Sequence, residues 1–507
     1  MGNYNAATWL IDRHLDEGRG DRIAIRCQGM SLTYANLQRE IFRAQHALAD
    51  RGVTAGDRVA MVVNDEPGFV AFYLGAIRSG AIPVPLSTML TSSDIAVIVD
   101  DAAAALTVAS VEHAERVTGS STPLGTITLG GESWADYDDR SEAPVADTDA
   151  ESIAFWLYSS GTTGVPKGVM HRHGSLEATA ATYARTVLAI TEQDRFLSVA
   201  KLFFAYGLGN SLTFPFAVGG TTILSPDRPT PAGVLRIVAE ERPTLFFASP
   251  GFVAALLDAA PNPDVFASVR ATVTAGESLP GDLHRRFAET FGHDVLDGIG
   301  TTEALHIFLT NRPNDQVAGS SGKPVDGYEV KLLDDSGAEV TEPDAPGYLH
   351  VRGPSIADGY WQRPEQTAAS FVDGGWLRTG DVYTRSADGH WTFLGRNNDM
   401  IKAGGIWVSP AEVESVLIEH PDVLEAAVVG ARDAAGLEQT VAFVVARSGH
   451  SIDPDSIDRH CRAQMAAFKR PRRLFVVDEL PKTATGKIRR FELRDSLRSS
   501  ELPELGD

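Results

Sequence analysis

The stretch Tyr158-Ser159-Ser160-Gly161-Thr162-Thr163-Gly164-Val165-Pro166-Lys167-Gly168 limits what this chain can be more than any other. It follows Ile153-Ala154-Phe155-Trp156-Leu157, a short apolar run that reads as a buried strand. Small hydroxyl residues, glycines and one lysine come directly after it. Glycine permits positive φ and lets backbone N–H groups crowd around an anion. Hydroxyls donate to phosphate oxygens, and Lys167 supplies a point charge. Ser159, Ser160, Gly161, Thr162, Thr163, Gly164 and Lys167 therefore have the chemistry of a polyphosphate cradle. This is not the P-loop of kinases and ATPases. That pattern needs Gly where Pro166 stands and Ser or Thr where Gly168 stands. With no ligand, the same residues would be a Gly-rich turn from strand to helix.

Charge narrows the partners. The 507 residues carry 45 Lys and Arg against 67 Asp and Glu, a net charge of −22. Such a surface disfavours nucleic acid as a partner, whereas a single nucleotide needs only a local pocket. Cys27 and Cys461 are too few and too far apart for a disulfide scaffold or a zinc site. They are expected to be inert thiols. The chain opens on no signal peptide and has no run of eighteen apolar residues, so a cytoplasmic location with no membrane partner is expected.

A chain of this length is expected to split into domains. Residues 1 to 150 alternate strand and helix patterns, which argues a parallel α/β sheet. Thr33 caps an expected helix that begins Tyr34-Ala35-Asn36-Leu37, and Arg58–Val63 and Ala81–Leu86 read as strands. Residues 119–148, rich in Ser, Thr, Gly and Asp, read as a surface connection. Lys201-Leu202-Phe203-Phe204-Ala205-Tyr206-Gly207-Leu208-Gly209 is awkward for a plain core helix, because glycine disfavours helix interiors. Phe246–Pro250 and Ala271–Glu277 read as strands ending in turns, where open α/β sheets bind ligands. Gly300-Thr301-Thr302-Glu303 pairs a hydroxyl with a carboxylate, oxygen donors that suit Mg²⁺, though a helix-capping turn would look the same. Residues 319–396 are strand-rich, and Thr379-Gly380-Asp381 reads as a tight turn presenting a carboxylate. A new α+β unit begins after Arg396, with Pro410–Leu417 as a helix.

The cradle resembles the phosphate loop of the acyl-adenylate-forming superfamily of acyl-CoA synthetases, adenylation domains and luciferases. Gly298–Glu303, Leu377-Arg378-Thr379-Gly380-Asp381, Gly395-Arg396 and Pro481-Lys482-Thr483-Ala484-Thr485-Gly486-Lys487 resemble its later motifs in the right order. The fold implied is α/β. Residues 1–396 would form a large multi-sheet N-terminal domain, and residues 397–507 a small mobile C-terminal lid hinged near Asn398. The resemblance implies ATP, Mg²⁺ and coenzyme A. It puts Ala275, Gly276, Glu277, Asp297, Gly298, Ile299, Thr302, Asp381 and Arg396 at the nucleotide, with Asp297 facing the adenine amino group. Glu303 would hold the metal, and Thr302, Glu303 and Lys487 would be catalytic. The segment after Lys201 resembles the benzoate–CoA ligase branch, which implies an acid pocket at Phe204, Ala205, Tyr206, Gly300, Ala304 and His306.

Three positions depart from the superfamily. Ile299 stands where an aromatic residue usually stacks on adenine. Asn398 replaces the usual hinge Asp or Lys. Ala304 is smaller than its counterpart in benzoate ligases and leaves room for a larger acid. The expected activity is joining an aryl or cyclic carboxylic acid to coenzyme A through an acyl adenylate. One alternative passes the acyl group to a carrier-protein thiol or to a separate acyl-transferring enzyme. A second is a catalytically dead binding module, which the retained Lys167, Thr302, Glu303, Asp381, Arg396 and Lys487 argue against.

Overall fold

The computed structural model describes residues 3–120, 122–130, 141–160, 166–403, 406–432, 438–482 and 488–497. Its largest layer is a nine-stranded sheet. The six central strands run parallel: Val295–Gly300, Ala271–Thr274, Leu245–Ala248, Arg195–Ser198, Thr221–Leu224 and Ile23–Cys27. Antiparallel strands close both edges. A second, four-stranded parallel sheet orders Ile82–Pro85, Arg58–Val62, Leu106–Ser110 and Thr126–Leu129. Thr126–Leu129 lies inside the expected surface connection 119–148. Its alternation of half-buried Thr with buried Ile127 and Leu129 is too short to stand out as a periodic signal. Residues 131–140 of that connection lie outside the described residues.

The cradle is entered from the strand Ile153–Ser160 and left along Pro166–Arg172. These strands pair antiparallel, with Tyr158 opposite Gly168 and Ser159 opposite Lys167. Paired strands therefore flank the cradle, and the ligand-free alternative of a turn from strand to helix does not hold. The first strand is wedged between two cores. Phe155 and Leu157 point into one with the helix Pro67–Arg78, and Trp156 into another with the four-stranded sheet. Side chains alternate across a strand, so one short apolar run serves both layers.

The helix Tyr34–Asp50 begins where Thr33 accepts a hydrogen bond from the Asn36 N–H, as its sequence implies. The segment after Lys201 departs from expectation. Ala205 to Val218 is continuously helical, with a π-turn at Gly209–Thr213. Packing explains the two glycines. A Cβ at Gly207 would lie 2.0 Å from the Lys201 carbonyl, and one at Gly209 would lie 2.3 Å from the His306 ring. Close approach outweighs helix propensity here.

Five strands within residues 329–396 form an antiparallel sheet, while Gly359–Tyr360 pairs instead with Pro166–Arg172. Thr379-Gly380-Asp381 is not a free turn. It is a bulge within the ten-residue strand Trp376–Arg385, where pairing to Gly347–Arg352 shifts register. Gly380 takes φ +79 there, which glycine adopts without strain. Beyond Arg396, the strands Val423–Arg432, Glu438–Ala446 and Arg473–Val476 form a separate sheet. The apolar clusters around it draw only on residues from Ile401 onward. Cys27 and Cys461 are free and buried, and burial pushes both thiols up to about 11.

Overpacking a fixed core costs about 1–3 kcal/mol. Gly209→Ala is expected to lower stability by about that amount, measured by denaturant unfolding. A change within about 0.5 kcal/mol, the size of a surface substitution, would show that the His306 ring yields freely.

Candidate active site

Three segments converge on one face of the strand Pro166–Arg172. Lys167, Val169 and His171 alternate onto that face. His171 is fully buried, and its ring stacks on Phe155 with centroids 5.0 Å apart. Its Nε2 lies 2.9 Å from the Thr302 carbonyl and donates to it. This bond anchors the short 3₁₀ turn Thr302–Ala304. Burial holds His171 down to about 3, so the ring is neutral at physiological pH.

The same turn is fixed from its other sides. Thr301 caps it by accepting from the Glu303 N–H at 2.9 Å. Ala357 N–H donates to the Glu303 carbonyl at 2.8 Å. Leu305 follows with φ +67, and the His306 N–H reaches back to the Ala304 carbonyl at 2.8 Å, closing a three-residue turn. Positive φ is costly for leucine, and such strain persists only where the surroundings impose it. The turn sends Glu303 toward the hairpin and His306 toward the helix Ala205–Leu208.

The Glu303 carboxylate has two donors. The Tyr360 hydroxyl reaches Oε1 at 2.9 Å and the Thr301 hydroxyl reaches Oε2 at 2.6 Å. The Lys167 ammonium sits 4.8 Å above the Tyr360 ring. Lys167, Thr302 and Glu303, distant in sequence, are therefore brought together. Ser159 lies beside Lys167 in the hairpin and Ser160 beside Pro166. Gly161, Thr162, Thr163, Gly164 and Lys487 lie outside the described residues, so the centre of the cradle and the C-terminal lysine are not part of this geometry.

The other expected nucleotide residues cluster at strand ends. Asp297, Gly298, Ile299 and Gly300 finish the strand Val295–Gly300. Ala275, Gly276 and Glu277 follow the neighbouring strand Ala271–Thr274. Asp297 is buried and accepts from the Thr274 hydroxyl at 2.8 Å. Burial pushes its carboxyl up to about 7, with hydrogen bonds from Thr274 and two backbone N–H groups opposing. Asp381 is buried and forms an ion pair with Arg396 at 3.0 Å, while the Arg396 side chain stays 43% exposed. Arg396 also donates to the Thr379 carbonyl at 2.9 Å, closing the bulge. Asn398 is exposed in the turn that follows, and its φ is not positive.

Part of the expected acid pocket also assembles. His306 packs with ring centroids 5.6 Å from Tyr206, 5.3 Å from Tyr183 and 4.5 Å from Phe214. A Cβ at Gly300 would lie 2.4 Å from the His306 carbonyl, which excludes a side chain there. Burial lowers His306 to about 3, so it carries no charge. Phe204 instead has its ring edge-on to Phe203 at 4.5 Å. Ala304 is fully buried in the core on which Tyr206 packs, and Ala205 packs against a different core. Asn210 was not signalled by any motif. It is fully buried and its Oδ1 lies 3.1 Å from His306 Nε2. Tyr360 was missed as well, because its two-residue strand Gly359–Tyr360 has no periodicity to read.

Residues 12–361 match the family model described as AMP-binding enzyme, and residues 412–487 match that of the AMP-binding enzyme C-terminal domain. The chain belongs to the AMP-binding enzyme family. This AMP-binding enzyme is 43% identical over 510 residues to the benzoate–CoA ligase of Thauera aromatica, covering 97% of this chain and 96% of that one. Its fold matches the crystal structure of a benzoate CoA ligase from Burkholderia xenovorans LB400 with a TM-score of 0.89 at 39% identity, over 97% of this chain and 100% of the other. The anthranilate CoA ligase AuaEII, in complex with anthranoyl-AMP, gives a TM-score of 0.92 at 36% identity, covering 98% of each chain. The fold is that of adenylate-forming enzymes. Among the described residues, no helix is long and apolar enough to cross a membrane.

The neutral His171 makes the turn pH-dependent. In the unfolded chain a histidine binds a proton below about 6.5, and in the fold only near 3. The stability of the neutral ring is complete above 6.5 and lost as pH falls toward 3. The thermal midpoint of the wild type is expected to fall more steeply between pH 7 and pH 5 than that of His171→Gln, which keeps a donor but cannot be protonated. Parallel slopes would contradict the assignment.

Proposed function

We propose that this AMP-binding enzyme joins an aryl or cyclic carboxylic acid to coenzyme A, forming an acyl adenylate on the way. The observation that carries the reading is 43% identity to a benzoate–CoA ligase over 97% of the chain, on a chain whose Lys167, Thr302 and Glu303 meet at one place. In the first half-reaction a carboxylate oxygen attacks the α-phosphorus of ATP, and the bond to pyrophosphate breaks. The acid is already ionised at neutral pH, so no general base is needed. Two anions must meet, and that calls for positive charge aimed at the developing transition state. Lys167 and the backbone of the cradle take the polyphosphate. The oxygen donors of Thr302 and Glu303 fit a hard cation, and Mg²⁺ there would neutralise phosphate charge. In the second half-reaction the thiol of coenzyme A attacks the acyl carbon and AMP leaves.

The remaining roles are assigned on the same footing. Asp381, held by Arg396, accepts from the ribose hydroxyls. Asp297 takes the adenine amino group, and Ala275 to Glu277 and Gly298 to Ile299 line the base and sugar. The acid lies among Phe204, Ala205, Tyr206, Gly300, Ala304 and His306. Neutral aromatic walls around His306 favour a ring over a second charge. Lys487 bridges the meeting anions from the C-terminal domain. The division at residue 396 is supported by the separate apolar clusters beyond Ile401 and by the exposed turn at Asn398, the proposed hinge. Coenzyme A, rather than a carrier-protein thiol, is the acceptor, as the named relatives suggest.

Mixing ATP·Mg²⁺, coenzyme A and a panel of aromatic, alicyclic and fatty acids tests this reading. Mass spectrometry should find AMP, pyrophosphate and an aryl or alicyclic acyl-CoA. Formation of ADP, or of product only when a carrier protein is added, would contradict it. Lys487→Ala should abolish adenylation and spare transfer from supplied acyl-adenylate, and equal loss in both steps would remove Lys487 from its role.

A further inference from the structure

Lys167 and Glu303 carry opposite charges, and both contact Tyr360. Among the described residues, neither forms an ion pair, although surface charges elsewhere pair freely. Tyr360 separates them. Its strand Gly359–Tyr360 adds to the hairpin with Tyr360 opposite Val169. Directly opposed residues share a face, and so do residues two apart on a strand, so Tyr360 and Lys167 are diagonal neighbours. The ring carries the ammonium at 4.8 Å on its face, and the hydroxyl donates to Glu303 Oε1 at 2.9 Å. The ring is itself held. The Tyr360 N–H donates to the Thr367 hydroxyl at 3.0 Å, and Phe371 packs edge-on at 5.3 Å.

We propose that Tyr360 is a positioning residue that keeps Lys167 and Glu303 from neutralising each other. It holds them at the separation that a metal-bound polyphosphate needs. The proposal rests on the reading of this site as an ATP·Mg²⁺ site. A long lysine facing a carboxylate with nothing between them would collapse into a direct pair, and ATP would have to break that pair. An aromatic face attracts the cation without cancelling its charge. The phenol donates one hydrogen bond to Glu303, and Thr301 donates another to the second oxygen. Together they fix the plane of the carboxylate. Tyr360 touches neither phosphate nor metal in this account and acts only through the two charged groups.

Equilibrium ATP binding, with no acid present, tests the proposal. It is measured by calorimetry once with Mg²⁺ and once with EDTA. Tyr360→Phe keeps the ring and loses the donor. The affinity gained from Mg²⁺ should fall about tenfold, the scale of one hydrogen bond to a charged group, while metal-free binding stays within about twofold. Tyr360→Leu also removes the spacer, and metal-free binding should then fall by about fivefold, the scale of an exposed cation–π contact. In a Glu303→Gln background, Tyr360→Phe should have no further effect on the metal-dependent gain. Equal loss with and without metal in Tyr360→Phe, or no loss, would overturn the inference alone. A wild type that gains no affinity for ATP from Mg²⁺ would overturn both the inference and the site reading beneath it.

Discussion

A single strand face holds the site together. Lys167, Val169 and His171 project from one side of Pro166–Arg172 and between them engage two distant segments. His171 takes the carbonyl of Thr302. Val169 packs with Ala357 and Tyr360. Lys167 lies over Tyr360, which in turn holds Glu303. The face is stiff because its strand is backed by Ile153–Ser160, which is wedged between two cores through Phe155 and Trp156. A charged group can be aimed only from a support that does not move, and buried packing supplies that support.

The strand face also explains how charge is managed. Lys167 and Glu303 are kept apart, whereas Asp381 and Arg396 are paired. The paired aspartate is buried and its arginine is partly open, so the carboxylate is oriented rather than mobile. Asp297 is buried with no cation paired to it among the described residues, and its raised carboxyl records a desolvation cost that its three hydrogen bonds do not offset. The histidines near the site, His171 and His306, are neutral for the same reason.

Much of this was legible in the sequence where the physics is local. Thr33 capping its helix, the strands Arg58–Val62 and Ile82–Pro85, and the helix Pro410–Ile418 follow from short-range patterns. The ordered motifs sufficed for the family. Pairing over distance was not legible. Pro166-Lys167-Gly168 looks like a turn, and only Tyr158 lying across Gly168 makes it a strand. Gly207 and Gly209 weigh against a helix until the Lys201 carbonyl and the His306 ring are seen against them. Thr379-Gly380-Asp381 looks like a turn because a bulge and a turn use the same residues. Tyr360 and Asn210 carry no signal at all, because their importance lies wholly in what they touch.

Hydrogen–deuterium exchange on the full chain, with and without ATP·Mg²⁺, tests most directly whether these segments form one site. The account predicts that peptides spanning Ser159–Lys167, Thr301–His306 and Gly359–Tyr360 gain protection together, in parallel as ATP is titrated. Peptides packed on the opposite face of the nine-stranded sheet, such as Pro231–Glu241, should not change. Protection of one segment alone, or of segments at different ATP concentrations, would contradict the central claim.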